Sequence, residues 1–351
     1  MTIVFAILLF SLLIFVHELG HFMAAKASGV RVNEFAMFMG PAILKWGKGE
    51  TQYSIRCIPI GGYCAMEGEN EDTDDPRSFQ KAAWWKRLII LVAGSFMNFL
   101  AGIIIFAVVF GTVKQPFLVP VIESAEVGCT VVREGGLQVG DEIIKLDGER
   151  IYVHSDFTTL LQIYPGDTHD IVVRRNGERI KFENYSMEKH LFPGEETERY
   201  GFYFGSAEPT MANKAKFVWN STLNVARSVR LSLKMMISGQ AGLKDMSGPV
   251  GIVQIMNDSA QAAENKMDAF LNVLYIGGFL AINLAVMNLL PIPALDGGRV
   301  VGLLLTCAIE AVTRKKLDPK YEGYIHGVGM VLLLALMGII LFKDIFVIFK
   351  R

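Results

Sequence analysis

The residues best placed to do chemistry are His17, Glu18 and His21, in the stretch LLIFVHELGHFMAA. The histidines are four apart, so on a helix they share one face. Two imidazoles at that spacing can bind one zinc ion. The glutamate beside them can then act as base toward a water that the metal has made acidic. The same pattern arises by chance in helices, so its setting carries weight. Here the setting is an apolar run that begins at residue 3. Ionisable groups inside a membrane helix are costly enough to be functional candidates on that ground alone. A hydrolytic zinc site usually takes three protein ligands and keeps a fourth position open. The candidate third ligand is Asp296, in NLLPIPALDGGRV. An Asp-Gly-Gly sequence also serves as a plain turn after a helix.

The elements that must position these side chains are membrane helices. The chain has 351 residues, 52% of them hydrophobic, and a mean hydropathy of +0.36. That is too apolar for an ordinary soluble enzyme of this length. Net charge is −1, which leaves no footprint for a nucleic-acid partner. Cys57, Cys64, Cys129 and Cys307 are scattered, form no CxxC pair and read as buried or incidental thiols. Residues 1–16 lack the basic start of a signal peptide, so the first run reads as a retained span.

Spans of about 20 apolar residues are expected at 3–24, 88–113, 269–291 and 325–342. The stretch 217–237 is interrupted by Arg227, Arg230 and Lys234 and suits an amphipathic helix on the membrane surface. Basic residues crowd the loop 25–87 and recur after the third span at Arg299, Arg314, Lys315, Lys316 and Lys320, so both loops read as cytoplasmic. The N-terminus and the segment 114–268 are then extracytoplasmic. His17 lies about 14 residues into the first span, past the midplane at ~1.5 Å per residue. Asp296 emerges at the cytoplasmic end of the third span, after Pro291 and Pro293 have ended the regular helix. A shared metal site requires an even number of crossings between the two motifs, which four spans satisfy and five do not. Between spans two and three, LVPVIE, EIIKLDG and DIVVRRNGERIKFE read as strands, with FTTLLQIY as a short helix. His154, His169 and His190, in or near this module, read as surface residues.

These motifs resemble the site-2 protease family of intramembrane zinc metalloproteases, in the bacterial branch of regulated intramembrane proteolysis. HELGH near the start and NLLPIPALDGG in the third span carry the resemblance. The module's GGLQVGDEIIKLDGERI is similar to the signature of bacterial PDZ domains. The resemblance implies a polytopic α-helical membrane protein with four transmembrane helices and an inserted β-rich PDZ-like domain. It implies residues 1–113 as the first two spans, 114–190 as the PDZ domain, 191–268 as a linker with the interfacial helix, and 269–351 as the last two spans.

By the same resemblance, His17, His21 and Asp296 match the family's zinc ligands, and Glu18 its base. Asn288 matches an asparagine that helps to hold the substrate backbone. On physical grounds alone an interhelical hydrogen bond suits Asn288 as well. Gly94 and Asn98, in GSFMNF, match the family's Gly-x-x-x-Asn element, with a close-packing role for Gly94, although Ser95 stands where the family usually has proline. Residues 53–68, with Gly61 and Gly62, resemble the family's membrane-reentrant β-hairpin, whose edge could take up an extended substrate; an ordinary cytoplasmic hairpin fits the same residues. The implied partners are single-span membrane proteins in the lipid bilayer, with the PDZ module receiving a substrate or its trimmed terminus. His326, at the start of span four, would reach the metal only in an unusual bundle.

Two rivals remain at this point. A membrane scaffold would use the module alone, yet has no need of an acid beside two membrane histidines. A metal transporter would carry more ionisable residues along its path than spans two to four contain. The resemblance implies anti-sigma factors, remnant signal peptides and pheromone precursors alike as consistent substrates.

Overall fold

A computed structural model describes residues 2–69, 73–194, 196–242, 245–314 and 320–349. The elements in chain order are α1 (Thr2–Ser28), β1 (Val32–Trp46), β2 (Gln52–Met66), α2 (Trp84–Thr112), β3 (Phe117–Ala125), β4 (Glu142–Leu146) and β5 (Glu149–Arg150). There follow α3 (Ser155–Ile163), β6 (Thr168–Arg175), β7 (Glu178–Ser186), β8 (Phe202–Ala207), α4 (Met211–Ile237), α5 (Pro249–Gln261), α6 (Lys266–Asn288), α7 (Asp296–Thr313) and α8 (Lys320–Phe349). They divide into two compact units, residues 1–106 with 232–351, and residues 107–231.

In the first unit and the adjoining end of α2, four helices are long and apolar enough to cross a membrane: Val4–Ser28, Trp84–Thr112, Lys266–Asn288 and Gly323–Asp344. They fall where the apolar runs place them, except that α6 stops at Asn288 rather than running to 291. A core of Ala25, Val32, Phe35, Cys64, Ile90 and Leu303 joins α1, the β1–β2 hairpin, α2 and α7. Close packing of these side chains holds the hairpin to the helices. A second cluster, of Ala6, Leu9, Met256 and Val273, joins α1 to α5 and α6. The helix α5 has no counterpart among the elements expected from the sequence. Its first turn is capped from another helix, since Asp344 of α8 accepts hydrogen bonds from the backbone N–H groups of Gly248 and Gly251, each at 3.0 Å. A carboxylate is well suited to the unpaired donors and positive end of a helix start.

The hairpin is larger than the 53–68 stretch suggests, because β1 contributes 15 residues of its own. The first half of β1 is flanked on both sides. Phe35 pairs with Cys64 on one side and with Tyr53 on the other. Residues 62–66 therefore form an outer edge. Glu34 ties the layers together, accepting from Ser54 Oγ at 2.7 Å and from Arg56 Nη2 at 2.8 Å. Burial alone would raise the Glu34 carboxyl, but these donors and the Tyr63 hydroxyl outweigh it and hold it at about 2.

The second unit contains an antiparallel sheet in the order β7-β6-β4-β3-β8, with β5 paired to β4. The strand β8 lies beyond residue 190, in what reads as linker, so the sheet extends further along the chain than expected. It pairs with β3, with Ile122 opposite Phe204. The polar side of α4 packs on this module. Arg227 pairs with Asp156 at 2.9 Å with both side chains at least 92% buried, and Asn220 donates to the carbonyl of Tyr152 at 3.1 Å. These groups face the module. His169 is no surface residue. It is 3% exposed, with Nδ1 2.7 Å from Asp147 Oδ2 and Nε2 3.0 Å from the carbonyl of Gly166. A β-strand residue faces the core or solvent by period, and position 169 has the same parity as Ile171 and Val173.

Candidate metal centre

His17 and His21 lie one helical turn apart on α1, and Asp296 is the first residue of α7. The chain brings the three together through a folded connection. After Asn288 the backbone turns sharply, with Ile292 N–H donating to Leu290 O at 2.7 Å and Leu295 N–H to Ile292 O at 3.1 Å. This reversal presses the connection onto the start of α7. A Cβ on Gly297 would stand 2.2 Å from Leu289 O, and one on Gly298 2.3 Å from Ile292 O. The two glycines after Asp296 are thus required by close packing, beyond any role in a generic turn.

The donor atoms converge tightly. His17 Nε2 and His21 Nε2 are 3.2 Å apart, and Asp296 Oδ2 lies 3.2 Å from the first and 3.4 Å from the second. Ligand atoms of a tetrahedral zinc with bonds of about 2.0–2.1 Å stand roughly 3.3–3.4 Å from one another. Asp296 Oδ2 is buried without a hydrogen-bond partner, which is expensive for a carboxylate unless a cation faces it. Among the described residues, His17, His21 and Asp296 are the group of such side chains able to hold a metal ion. Two nitrogens and one oxygen suit zinc.

Groups behind the ligands set their orientation. His21 Nδ1 is 2.8 Å from the carbonyl of Ile90 on α2, so Nδ1 carries the proton and Nε2 presents its lone pair. His17 Nδ1 faces the buried amide of Asn98, 3.5 Å from its nitrogen. The amide orientation that serves a metal-binding His17 is the one in which Oδ1, otherwise unpartnered, accepts from Nδ1–H. Between these two contacts, α2 passes so close that a Cβ on Gly94 would lie 2.3 Å from His21 Nε2 and 2.9 Å from His17 Nε2. The resemblance gives Gly94 a close-packing role and names Asn98 in the same element. Their touch on the imidazoles follows from the crossing of α1 and α2, and the Ile90 carbonyl has no sequence signal at all.

A cavity of about 630 Å³ opens on the centre, lined by His17, Glu18, His21, Tyr63, Cys64, Glu69, Asp296 and Arg299 among others. Glu18 is half-buried in its wall. Gly62 of the hairpin edge packs against Glu18, where an added Cβ would stand 3.5 Å from Glu18 Cγ. Gly61, with φ +84°, instead faces Met39. Asn288 ends α6 half-buried and is not among the residues lining the cavity. The side chain of His326 lies outside the described ones, as do Lys315 and Lys316.

Comparison with known proteins bears on the family. The sequence profile of peptidase family M50 matches residues 5–336. The chain is 34% identical over 347 residues to a Clostridium acetobutylicum protein named "Putative zinc metalloprotease", covering 98% of this chain and 97% of that one. It is 28% identical to the zinc metalloprotease RasP of Geobacillus kaustophilus, over 98% and 97% of the two chains. It is 26% identical to the regulator of sigma-W protease RasP of Bacillus subtilis, over 98% of each.

Proposed function

This chain belongs to peptidase family M50, and from that premise we propose that it cuts peptide bonds inside the membrane segments of single-span proteins, with His17, His21 and Asp296 as zinc ligands and Glu18 as base. Membership makes it a zinc metalloprotease of the site-2 type, and its four apolar helices make it a multi-pass membrane protein. The observation that carries the residue assignment is the convergence of three ligand atoms, one of them a buried unpartnered carboxylate oxygen, beside an acid in a single cavity. Zinc, when bound there, supplies a Lewis acid toward a carbonyl and lowers the pKa of water.

The residues of the chain do the rest. Glu18 takes the proton of the attacking water and returns it to the leaving amine. Ile90 and Asn98 keep both imidazoles in the tautomer that turns Nε2 toward the centre. The edge 62–66 receives an unwound substrate segment by strand addition, because a helical segment keeps its scissile carbonyl paired. Asn288 remains a candidate for holding that backbone from the end of α6. Small or helix-breaking residues near the cut ease the unwinding. The cavity faces the cytoplasm, and the N-terminus and the β module lie outside.

The β module is read as a PDZ domain. Its edge strand β8 lies against α3, with Phe157 5.5 Å from both Phe202 and Phe204 between ring centroids, and a trimmed chain terminus would add along that edge. The name of the Bacillus subtilis relative supports regulated intramembrane proteolysis, with a membrane-anchored regulator of a sigma factor as one substrate class. Remnant signal peptides and pheromone precursors are the others. The test is cleavage of a co-reconstituted single-span substrate by the native chain and by Glu18→Gln, with bound zinc measured in both. Cleavage by the native chain only, at equal zinc content, is the expected result. Equal cleavage by both overturns the assignment of Glu18.

A further inference from the structure

Arg299 and Glu69 stand in the cavity wall and form an ion pair through Arg299 Nη1 and Glu69 Oε1, with side chains 29% and 15% exposed. Neither belongs to the ligand set. Their positions along the chain are informative. Arg299 comes three residues after Asp296 in the first turn of α7, so the two share a helix face. Glu69 comes three residues after Met66, where the edge 62–66 ends. Its other oxygen, Oε2, accepts from the N–H of Met66 at 3.5 Å. The turn between them is anchored independently: Glu67 N–H donates to Arg31 O at 2.9 Å, and Phe79 N–H to Glu67 O at 2.7 Å.

The edge strand is therefore held at both ends. At one end Gly62 rests on Glu18. At the other, Glu69 links the strand's last N–H to the helix that begins with Asp296. We propose that the Glu69–Arg299 pair is a positioning device, setting which peptide bond of a docked strand stands over the His17–His21–Asp296 centre. The inference rests on the protease reading and on substrate docking at residues 62–66. The physical reason is register. One residue of slip along a strand is about 3.3 Å and turns every side chain to the opposite face. A fixed separation between edge and metal centre is thus needed for cutting at one bond. A largely buried ion pair that bridges the two elements supplies such a spacer, where apolar packing alone would tolerate sliding.

The experiment uses the full chain in vesicles with a single-span model substrate. Arg299→Ala and Arg299→Lys are compared for bound zinc, KM, kcat and cut position by mass spectrometry. In Arg299→Ala, zinc content stays native, KM rises about three- to fivefold, and the products spread by one or two residues around the native site. Lysine, which keeps a cation opposite Glu69 and leaves the Glu69 acceptor to Met66 in place, restores the native cut. An unchanged cut site and KM in Arg299→Ala, with native activity still abolished by Glu18→Gln, overturns the inference and leaves the protease reading standing. Loss of zinc in Arg299→Ala also overturns it, because the pair would then act on the metal centre and not on the strand. If the native chain cuts nothing, both readings fall together.

Discussion

Gly94 shows how little room the ligands leave. Alanine there would place a methyl group 2.3 Å from His21 Nε2, a contact that only a shift of α1 or α2 relieves. Gly94→Ala should therefore lose its zinc while remaining in the membrane, as read by metal content of the purified chain. Asn98 acts at the next distance. Partners of a ligand's far nitrogen typically account for 10–100-fold in metal affinity, so Asn98→Leu should weaken zinc by about that factor in a competition with a chelator. An Asn98→Asp variant keeps an acceptor toward His17 Nδ1 and should bind closer to the native value. The HELGH motif was legible because two histidines and an acid are too costly in an apolar run to stand there without a function. The groups that orient them were not legible, because a backbone carbonyl has no sequence identity and an asparagine in a helix has many uses.

The β1–β2 hairpin carries the prediction at the scale of elements. Glu34 is held at about 2, well below the ordinary carboxylate value of 4.5. A depressed pKa means that the folded form favours the charged carboxylate, so its stabilisation is present above about pH 4.5 and lost as pH falls toward 2. Protection against hydrogen exchange along residues 32–66, corrected for the intrinsic pH dependence of amide exchange, should fall through that window, and Glu34→Gln should be less protected at neutral pH with a flatter acid limb. The period-2 alternation of 53–68 was visible in the sequence. The pairing of β1 with both halves of β2 was not, because it depends on a bend that brings residues 52–55 and 62–66 to opposite sides of one strand. The helices α5 and α7 are not legible in the sequence for a related reason. Each begins at a proline or aspartate in a stretch that also reads as loop, and the start of α5 is stabilised by a distant residue, Asp344.

For the molecule as a whole, the β-rich module depends on a buried charge pair. Asp156 is capped by the N–H groups of Tyr152 and Val153 at 2.7 and 3.1 Å and paired with Arg227 at 2.9 Å. Removing one partner of such a pair costs about 3–5 kcal/mol. Asp156→Ala should make residues 107–231 the first region cut by limited proteolysis in detergent, with zinc content unchanged, because the metal centre lies in the other unit.

By itself the sequence determined the membrane character, the number of apolar spans, the metal-binding chemistry and the existence of a β-rich module. Each follows from composition and local spacing, which hydrophobic burial and helical periodicity translate directly into structure. Only the tertiary structure decided that Asp296 meets the histidines within 3.4 Å, that α2 must pass them at a glycine, and that the cavity is walled by a hairpin edge. Those facts are distances between segments far apart in the chain, set by how whole elements pack, and no local pattern encodes them.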